Sequence, residues 1–493
     1  MKPDLYPTEH TKTNRLIFLF IGTLAFVYIL IRAVTLGFTY DEVWTIDWFV
    51  PLPVMEIVNY TPASSNNHML NTLLIKLMFI IGGESEFVAR IPNVLGGLMF
   101  ITFAYKITSR HLKPFIGICA FLLLLLNPFL LDFFSLARGY GLALGFQMWS
   151  LCYLVLFVRE RRQRYASISL IAATLAVLSN WALMNYWIVL FGIVTALPFL
   201  FRNLYPQKKQ VAFNFVTALT LLALAYEPIR KLMDKGELYY GGENGLYDDT
   251  FTSLTKYTFY SHFETPAMML ALDCFLVIFL LIVLAAFYFN RIFHTPKNVL
   301  LALLALSITS VVVQHYVLDT LYILDRTALY LVPITFLILC FSVNEFSVKW
   351  VPKVVMVTVV AAFGLNFFAR ANFYKTTLWS FDSHTEEILE TLNEQGKRTN
   401  DTLKVEISWV FASTFGYYSS RNKYPYIQFV HKETDTSRVF VDYLVNLEHG
   451  LPKSGYNPFS PKMRYPLHYK WKEYPEEQVI IYRVFTDSVT EPN

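Results

Sequence analysis

The chain has 493 residues, of which 55% are hydrophobic and only 16% charged. Soluble domains carry about 25% charged residues, so this composition and a mean hydropathy of +0.41 exclude a disordered chain and an ordinary cytosolic enzyme. A formal net charge of +4 offers nucleic acid no electrostatic footprint. Cys119, Cys152, Cys274 and Cys340 each lie inside an apolar run and read as small buried hydrophobes, not as a disulfide framework or metal cluster.

A bilayer core takes about 20 apolar residues per helix. About eleven runs qualify, near 16–36, 87–107, 115–134, 138–158, 166–184, 186–201, 211–227, 267–289, 298–318, 328–343 and 352–369. The expected fold is an α-helical polytopic membrane protein with a small carboxyl-terminal α/β domain. Residues 1–14 read as a cytoplasmic tail, 15–369 as the membrane domain and 370–493 as an exported soluble domain. The first span lacks a small-residue cleavage site and reads as an uncleaved anchor.

Basic residues fall in alternate short connections: Lys106, Arg110 and Lys113; Arg159, Arg161, Arg162 and Arg164; Arg202, Lys208 and Lys209; Arg291 and Lys297; Lys349 and Lys353. The positive-inside rule then puts the amino terminus in the cytoplasm. It exports the loop 37–86, the turn 132–138, the loop 229–266, the segment 319–327 and everything after about 370.

The unusual residues lie in those exported connections. Loop 37–86 opens FTYDEVWTIDWFVP. Asp41 and Glu42 sit just beyond the first span, where desolvation penalises a carboxylate. They read either as solvated residues at a helix end or as a general base whose pKa partial burial raises. Next, SSNNHMLNTLLIKL places Asn66, Asn67 and His68 at the start of a short amphipathic helix containing Lys76, one that lies at the interface or dips in partway. A helix start offers N–H groups to an anion; a capping Asn beside an incidental His is the plainer alternative. Arg90, at the exported end of the second span, reads as a snorkelling side chain.

The tight turn in NPFLLDFFSLARGYGLALGF holds Asp132, Arg138 and Tyr140. Gly141 and Gly145 give small-xxx-small spacing for close helix approach. Asp132 and Arg138 either pair with each other, or Arg138 turns its fork to a phosphate. Asp325 and Arg326, in LDTLYILDRTALYLVP, pose the same choice. The loop 229–266 is long enough to suggest function, and Tyr239, Tyr240 and Tyr247 are candidates for stacking on sugar faces. In the tail, SHTEEILETLNEQGK has helical spacing, and TLKVEISWVF, YIQFVH, SRVFVDYLV and EEQVIIYRVF read as strands.

The order of these motifs resembles the C-type glycosyltransferase superfamily, on the branch with protein O-mannosyltransferases and bacterial aminoarabinose transferases. An exported Asp-Glu pair is followed by a His-led short helix, then ARIPNVLGGL, ARGYGL and DRTALYLVP, covering about residues 15–345. The resemblance implies transfer of a sugar from a polyprenyl-phosphate carrier to an acceptor on the exported face. Asp41 matches the base of the protein mannosyltransferases. Arg138 matches the Arg of an Arg-x-Tyr motif, with Tyr140 two residues on, and Arg326 a late arginine beside the carrier phosphate. The family's His-Pro-Pro is here His68-Met69-Leu70, without either proline.

The expected mechanism is an inverting single displacement at the outer face of the plasma (inner) membrane. Asp41 is the base, Arg138, Arg326 and His68 hold the donor phosphate, and Glu42 orients the acceptor or helps bind a divalent metal. Tyr140, Asp132, Asn67, Tyr239 and Tyr240 are expected contacts to acceptor or sugar. The partners are the lipid-linked sugar, the bilayer and an acceptor that is protein, lipid or glycan. A transporter or flippase of lipid-linked sugars also needs membrane-level arginines, but not an exported carboxylate pair, and it favours inverted repeats that are not visible here. A ligand sensor would explain the tail but not the charged loops.

Overall fold

The computed structural model describes residues 11–201, 208–261, 264–289, 295–346, 350–430, 441–448 and 468–485. Residues 1–10, Arg202, Arg291 and Lys349 lie outside them, as does the first half of the run SRVFVDYLV. The chain forms two compact units. One holds residues 1–34 and 48–373, the other residues 35–47 and 374–493.

The first unit is helical. Its elements, numbered with one helix of the second unit (α2) to keep chain order, are α1 (Lys12–Thr35), α2 (Tyr40–Trp48), α3 (Val54–Val58), α4 (Met69–Gly82), α5 (Glu86–His111), α6 (Pro114–Leu125), α7 (Pro128–Asp132), α8 (Gly139–Glu160), α9 (Gln163–Ser179), α10 (Met184–Leu200), α11 (Lys208–Asp234), α12 (Thr252–Thr258), α13 (Pro266–Phe289), α14 (Pro296–Leu318), α15 (Leu331–Asn344) and α16 (Trp350–Arg370). Among the described residues, eight helices are long and apolar enough to cross a membrane, or nine if one bent pair counts as a single span. All eleven apolar runs fall on helices, but three do so irregularly. The run 115–134 breaks into two pieces bent by 63°, because Pro128 opens α7 and Asn127 caps it by accepting the Leu130 N–H at 3.1 Å. Helices α9 and α15 have 17 and 14 residues, about 26 and 21 Å at 1.5 Å per residue. Helix α4, with 14 residues, is equally short, and Lys76 at its middle donates to the Val50 carbonyl at 2.8 Å.

Glycines let α5 and α8 meet. A Cβ on Gly145 would run into the Gly96 carbonyl, and one on Gly96 would lie 2.8 Å from the Gly141 carbonyl. Backbone therefore touches backbone where larger residues would hold the helices apart. Polar groups tie the same region together: Asn93 donates to Asn71 at 2.8 Å and accepts the Leu142 N–H at 2.9 Å.

Two arginines are buried inside this bundle. Arg90 is 0% exposed and donates to the Ala33 carbonyl at 3.2 Å, which overturns the snorkelling expectation. A guanidinium fork can stay inside when backbone carbonyls meet it, and the end of α1 supplies one. Arg32 of α1 forms a fully buried ion pair with Asp132 at 2.6 Å and also donates to the Asn372 carbonyl at 2.6 Å. The basic connections meet at one end of the unit: Lys113 bonds the Asn344 carbonyl at 3.0 Å, and Lys297 pairs with Glu345 at 2.7 Å.

The second unit combines α2 with α17 (Thr385–Thr399), α18 (Ala412–Arg421) and five strands: β1 (Leu403–Ile407), β2 (Ile427–Val430), β3 (Tyr443–Leu447), β4 (His468–Tyr474) and β5 (Val479–Val484). The sheet order is β2-β1-β3-β5-β4. β1 runs parallel to β2 and β3, whereas β5 is antiparallel to β3 and β4. The expected α/β tail is present. Its first strand, however, stops at Ile407, and Trp409–Phe411 turns into α18.

Removing one member of a buried ion pair strands the other, at a cost of about 3–5 kcal/mol. Arg32→Met should therefore lower the thermal midpoint of the purified full-length protein markedly. The double change Arg32→Met/Asp132→Leu should recover much of the loss. Equal midpoints for the single and double variants would show that the pair is not coupled.

Candidate functional site

In the first unit, His68, Arg138 and Arg326 come together at the end opposite the basic connections. The turn before α4 fixes His68. Asn67 donates to the Ile57 carbonyl at 3.0 Å, accepts the Thr72 hydroxyl at 3.0 Å, and its own carbonyl accepts the Tyr60 hydroxyl. Those bonds consume the Asn67 side chain in holding the turn. His68, 4% exposed, is then the N-cap residue of α4.

Gly139 lets the start of α8 press against it. A Cβ there would collide with the Ser179 carbonyl and lie 2.8 Å from the His68 Cβ. The neighbours of Gly139 both serve the cluster. Arg138, 2% exposed, donates to the Asn66 carbonyl at 3.4 Å. Tyr140 meets the His68 ring edge-on at 5.2 Å between centroids. Burial, then the charges of Arg138 and Arg326, hold the His68 imidazole well below its ordinary pKa. His68 is therefore neutral at pH 7, and its Nε2 is buried without a hydrogen-bond partner among the described residues.

Arg326 is placed by a second set of contacts. The strand-like bridge between Gly242 and Tyr322 fastens the loop 229–266 to the segment 319–327, with N–H to carbonyl bonds of 2.9 and 2.8 Å. The Asp325 N–H donates to Ser253 Oγ at 2.7 Å. Asp325 is held in the left-handed region at φ 39°, which Asp tolerates better than most residues. Its carboxylate accepts the Tyr240 hydroxyl and the Arg326 N–H. The Arg326 guanidinium lies over the Tyr240 ring at 4.4 Å, a cation–π arrangement. Burial, then the Asp325 charge, push the Tyr240 phenol well above its usual pKa. Tyr240 thus serves as a platform for Arg326. Tyr239 is 67% exposed, and Tyr247 donates to Asp273 at 2.6 Å. The Asp132 carboxylate is engaged by Arg32 and by the Tyr260 hydroxyl.

Asp41 and Glu42 belong to the second unit. They lie in the first turn of α2. Glu42 is 0% exposed, and its Oε2 accepts the Thr39 N–H at 3.0 Å and the Thr39 hydroxyl at 3.1 Å. This is the Glu arm of a capping box, so Glu42 helps to build the start of the helix. Sequence reasoning passed over that signal, Thr-x-x-Glu, although it is local. It also missed Asp382. That buried carboxylate accepts the Tyr40 N–H at 2.7 Å and the Thr414 hydroxyl at 3.0 Å. Burial pushes its pKa well above the usual carboxylate range. The charges of Asp41 and Glu42 act in the same direction, and its two hydrogen bonds act against it. No local pattern announces Asp382. Among the described residues, no group of three or more His, Cys, Asp or Glu side chains is arranged to hold a metal ion.

Residues 68–228 match the family model described as dolichyl-phosphate-mannose-protein mannosyltransferase. The matched segment begins at His68 and includes Asp132, Arg138 and Tyr140. ArnT from Cupriavidus metallidurans, solved bound to undecaprenyl phosphate, superposes with a TM-score of 0.52 at 11% identity, over 98% of this chain and 100% of that one. This chain has the fold of that ArnT. The apo state of the same ArnT gives a TM-score of 0.52 at 11% identity, over 94% and 97% of the two chains. No curated protein sequence matches the chain. With eight long apolar helices among the described residues and this fold, the chain is an integral multi-pass membrane protein.

The neutral His68 carries a pH signature. Below about pH 6.5 an unfolded imidazole takes up a proton that the folded one refuses. This contribution is therefore complete above that pH and is lost as pH falls, at about 1.4 kcal/mol per unit. Between about pH 7.5 and about pH 5, His68→Gln should lose less thermal stability than the parent protein. Parallel losses would show that His68 is charged in the folded state.

Proposed function

We propose that the protein is a membrane glycosyltransferase that moves a sugar from a polyprenyl-phosphate donor to an acceptor on the exported face of the plasma (inner) membrane. The observation carrying this reading is the meeting of buried His68 and Arg138 with half-buried Arg326 at one end of the helical bundle. A neutral imidazole that donates one hydrogen bond, beside two guanidinium groups, suits a phosphate anion. Further support comes from the mannosyltransferase family model and from the undecaprenyl phosphate bound by the ArnT of matching fold.

The chemistry is an inverting single displacement. The acceptor hydroxyl oxygen bonds to the anomeric carbon while the bond from that carbon to the phosphate oxygen breaks. Asp41 takes the hydroxyl proton. The polyprenyl phosphate departs as an anion, so no general acid is required. Arg138, Arg326 and His68 stabilise the charge that grows on it. Tyr140 keeps the His68 ring edge-on, and Tyr240 backs Arg326. Glu42 and Asn67 act one step removed, by holding the backbone that carries Asp41 and His68.

The test uses membranes from cells making the full-length protein, with vector-only membranes as control. They are given radiolabelled polyprenyl-phosphate hexose or pentose, and label is followed into a new covalent product. The parent protein should form that product. Asp41→Asn should fold normally and lower the rate about 10²–10⁴-fold, the usual worth of a general base. Normal transfer by Asp41→Asn would remove Asp41 from the chemistry. Movement of the donor between leaflets without any new covalent product would make the protein a flippase.

A further inference from the structure

The unit that carries Asp41 is built largely from the far end of the chain. Helix α2 has nine residues, too few to be stable alone in water. Its first N–H groups have no partners within the helix and need acceptors from elsewhere. Glu42 satisfies one locally, at Thr39. The Tyr40 N–H goes to Asp382 at 2.7 Å, and the Phe38 N–H goes to the Tyr418 hydroxyl at 2.7 Å. Ring contacts follow the same route: Phe38 meets Tyr417 edge-on at 5.1 Å, and Tyr40 meets Trp409 at 5.9 Å. A side chain at position 37 would crowd the Tyr418 hydroxyl, and glycine stands there.

Asp382 is the hub of this arrangement. It is 3% exposed and ends the short turn Ser380–Asp382. One carboxyl oxygen takes the Tyr40 N–H and the other takes the hydroxyl of Thr414 on α18. Its backbone carbonyl accepts the Thr385 hydroxyl at 2.9 Å, at the start of α17. One residue thus joins the starts of α2 and α17 to the first turn of α18, one peptide away from the Asp41 carboxylate.

We infer that Asp382 is a positioning residue through which the carboxyl-terminal domain aims Asp41, so that this domain is the seat of the helix bearing the base. This rests on the reading of Asp41 as the base. A tail that only recognised an acceptor would not need to hold the first turn of α2. Misplacing a reacting group by about 1 Å can cost 10²-fold in rate, so loss of the Asp382 contact should fall on turnover and leave donor binding alone.

The experiment uses the full-length protein and the polyprenyl-phosphate sugar donor that gives product with the parent. Asp382→Ala should lower kcat roughly tenfold to a hundredfold with donor KM nearly unchanged. It should also speed amide hydrogen exchange in Tyr40–Trp48. Asp382→Asn should restore most of the lost turnover, because its amide oxygen still accepts the Tyr40 N–H and its NH₂ can donate to the Thr414 hydroxyl. Unchanged kcat in Asp382→Ala, a loss confined to KM, or an equal loss in the Ala and Asn variants would each overturn the proposal. If Asp382→Ala does not fold, Asp382→Asn decides alone. Turnover near that of the parent supports the geometric role, and turnover as low as that of Asp41→Asn refutes it. Should Asp41→Asn prove fully active, the base reading fails, while the exchange measurement still tests whether Asp382 holds α2.

Discussion

A guanidinium group inside an apolar helix bundle has to be met by acceptors, and that requirement organises the membrane unit. Arg32, Arg90 and Arg138 are among its largest fully buried side chains. Arg32 is answered by Asp132 across the bundle, so the first span is tied to the bent α6–α7 pair. Arg90 is answered by the Ala33 carbonyl, which ties the second span to the first. Arg138 bonds the Asn66 carbonyl, so the start of α8 is bound to the turn that presents His68. Desolvating a charge is costly, and these pairings rigidify the connections that would contact a donor. Burial, and then the positive charges of Arg138 and Arg326, in turn keep His68 neutral.

The two units divide the proposed chemistry. The membrane unit supplies cations with fixed orientation, each backed by an aromatic ring or a capped turn. The other supplies the carboxylate pair on a helix whose amides are satisfied from the tail. A carboxylate on a long unsupported loop would sample many orientations. Here the Glu42 carboxylate, which accepts the Thr39 N–H and hydroxyl, and two long-range hydrogen bonds restrict it.

Much of this was legible in the sequence because membrane helices are marked by long apolar runs, and all eleven runs fall on helices. His68, Arg138 and Arg326 were legible as odd polar residues in connections on one side, and the structure does bring them together. Their supports were less visible. Arg90 was misread because snorkelling and burial look alike in sequence, and only the carbonyl of Ala33 separates them. Arg32 was overlooked inside an apolar run, since its partner Asp132 lies 100 positions away. The Thr39–Glu42 cap was available as a local pattern and went unused. Asp382 was not available at all, because its link to Tyr40 spans 342 positions. In the tail, α18 went unread, and so did β4, where Lys470 and Lys472 flank a bulge that blurs its alternation.

The central claim is that His68, Arg138 and Arg326 form one anion site for a lipid-linked phosphate. Binding of undecaprenyl phosphate to the full-length protein in nanodiscs of uncharged lipid tests it directly, with undecaprenol as the control lacking phosphate. The parent protein should bind the phosphate and not the alcohol, and the Arg138→Met/Arg326→Met variant should lose at least about tenfold in affinity, as expected when hydrogen bonds to a charged group are removed. Equal binding of phosphate and alcohol, or undiminished phosphate binding by the double variant, would contradict the account.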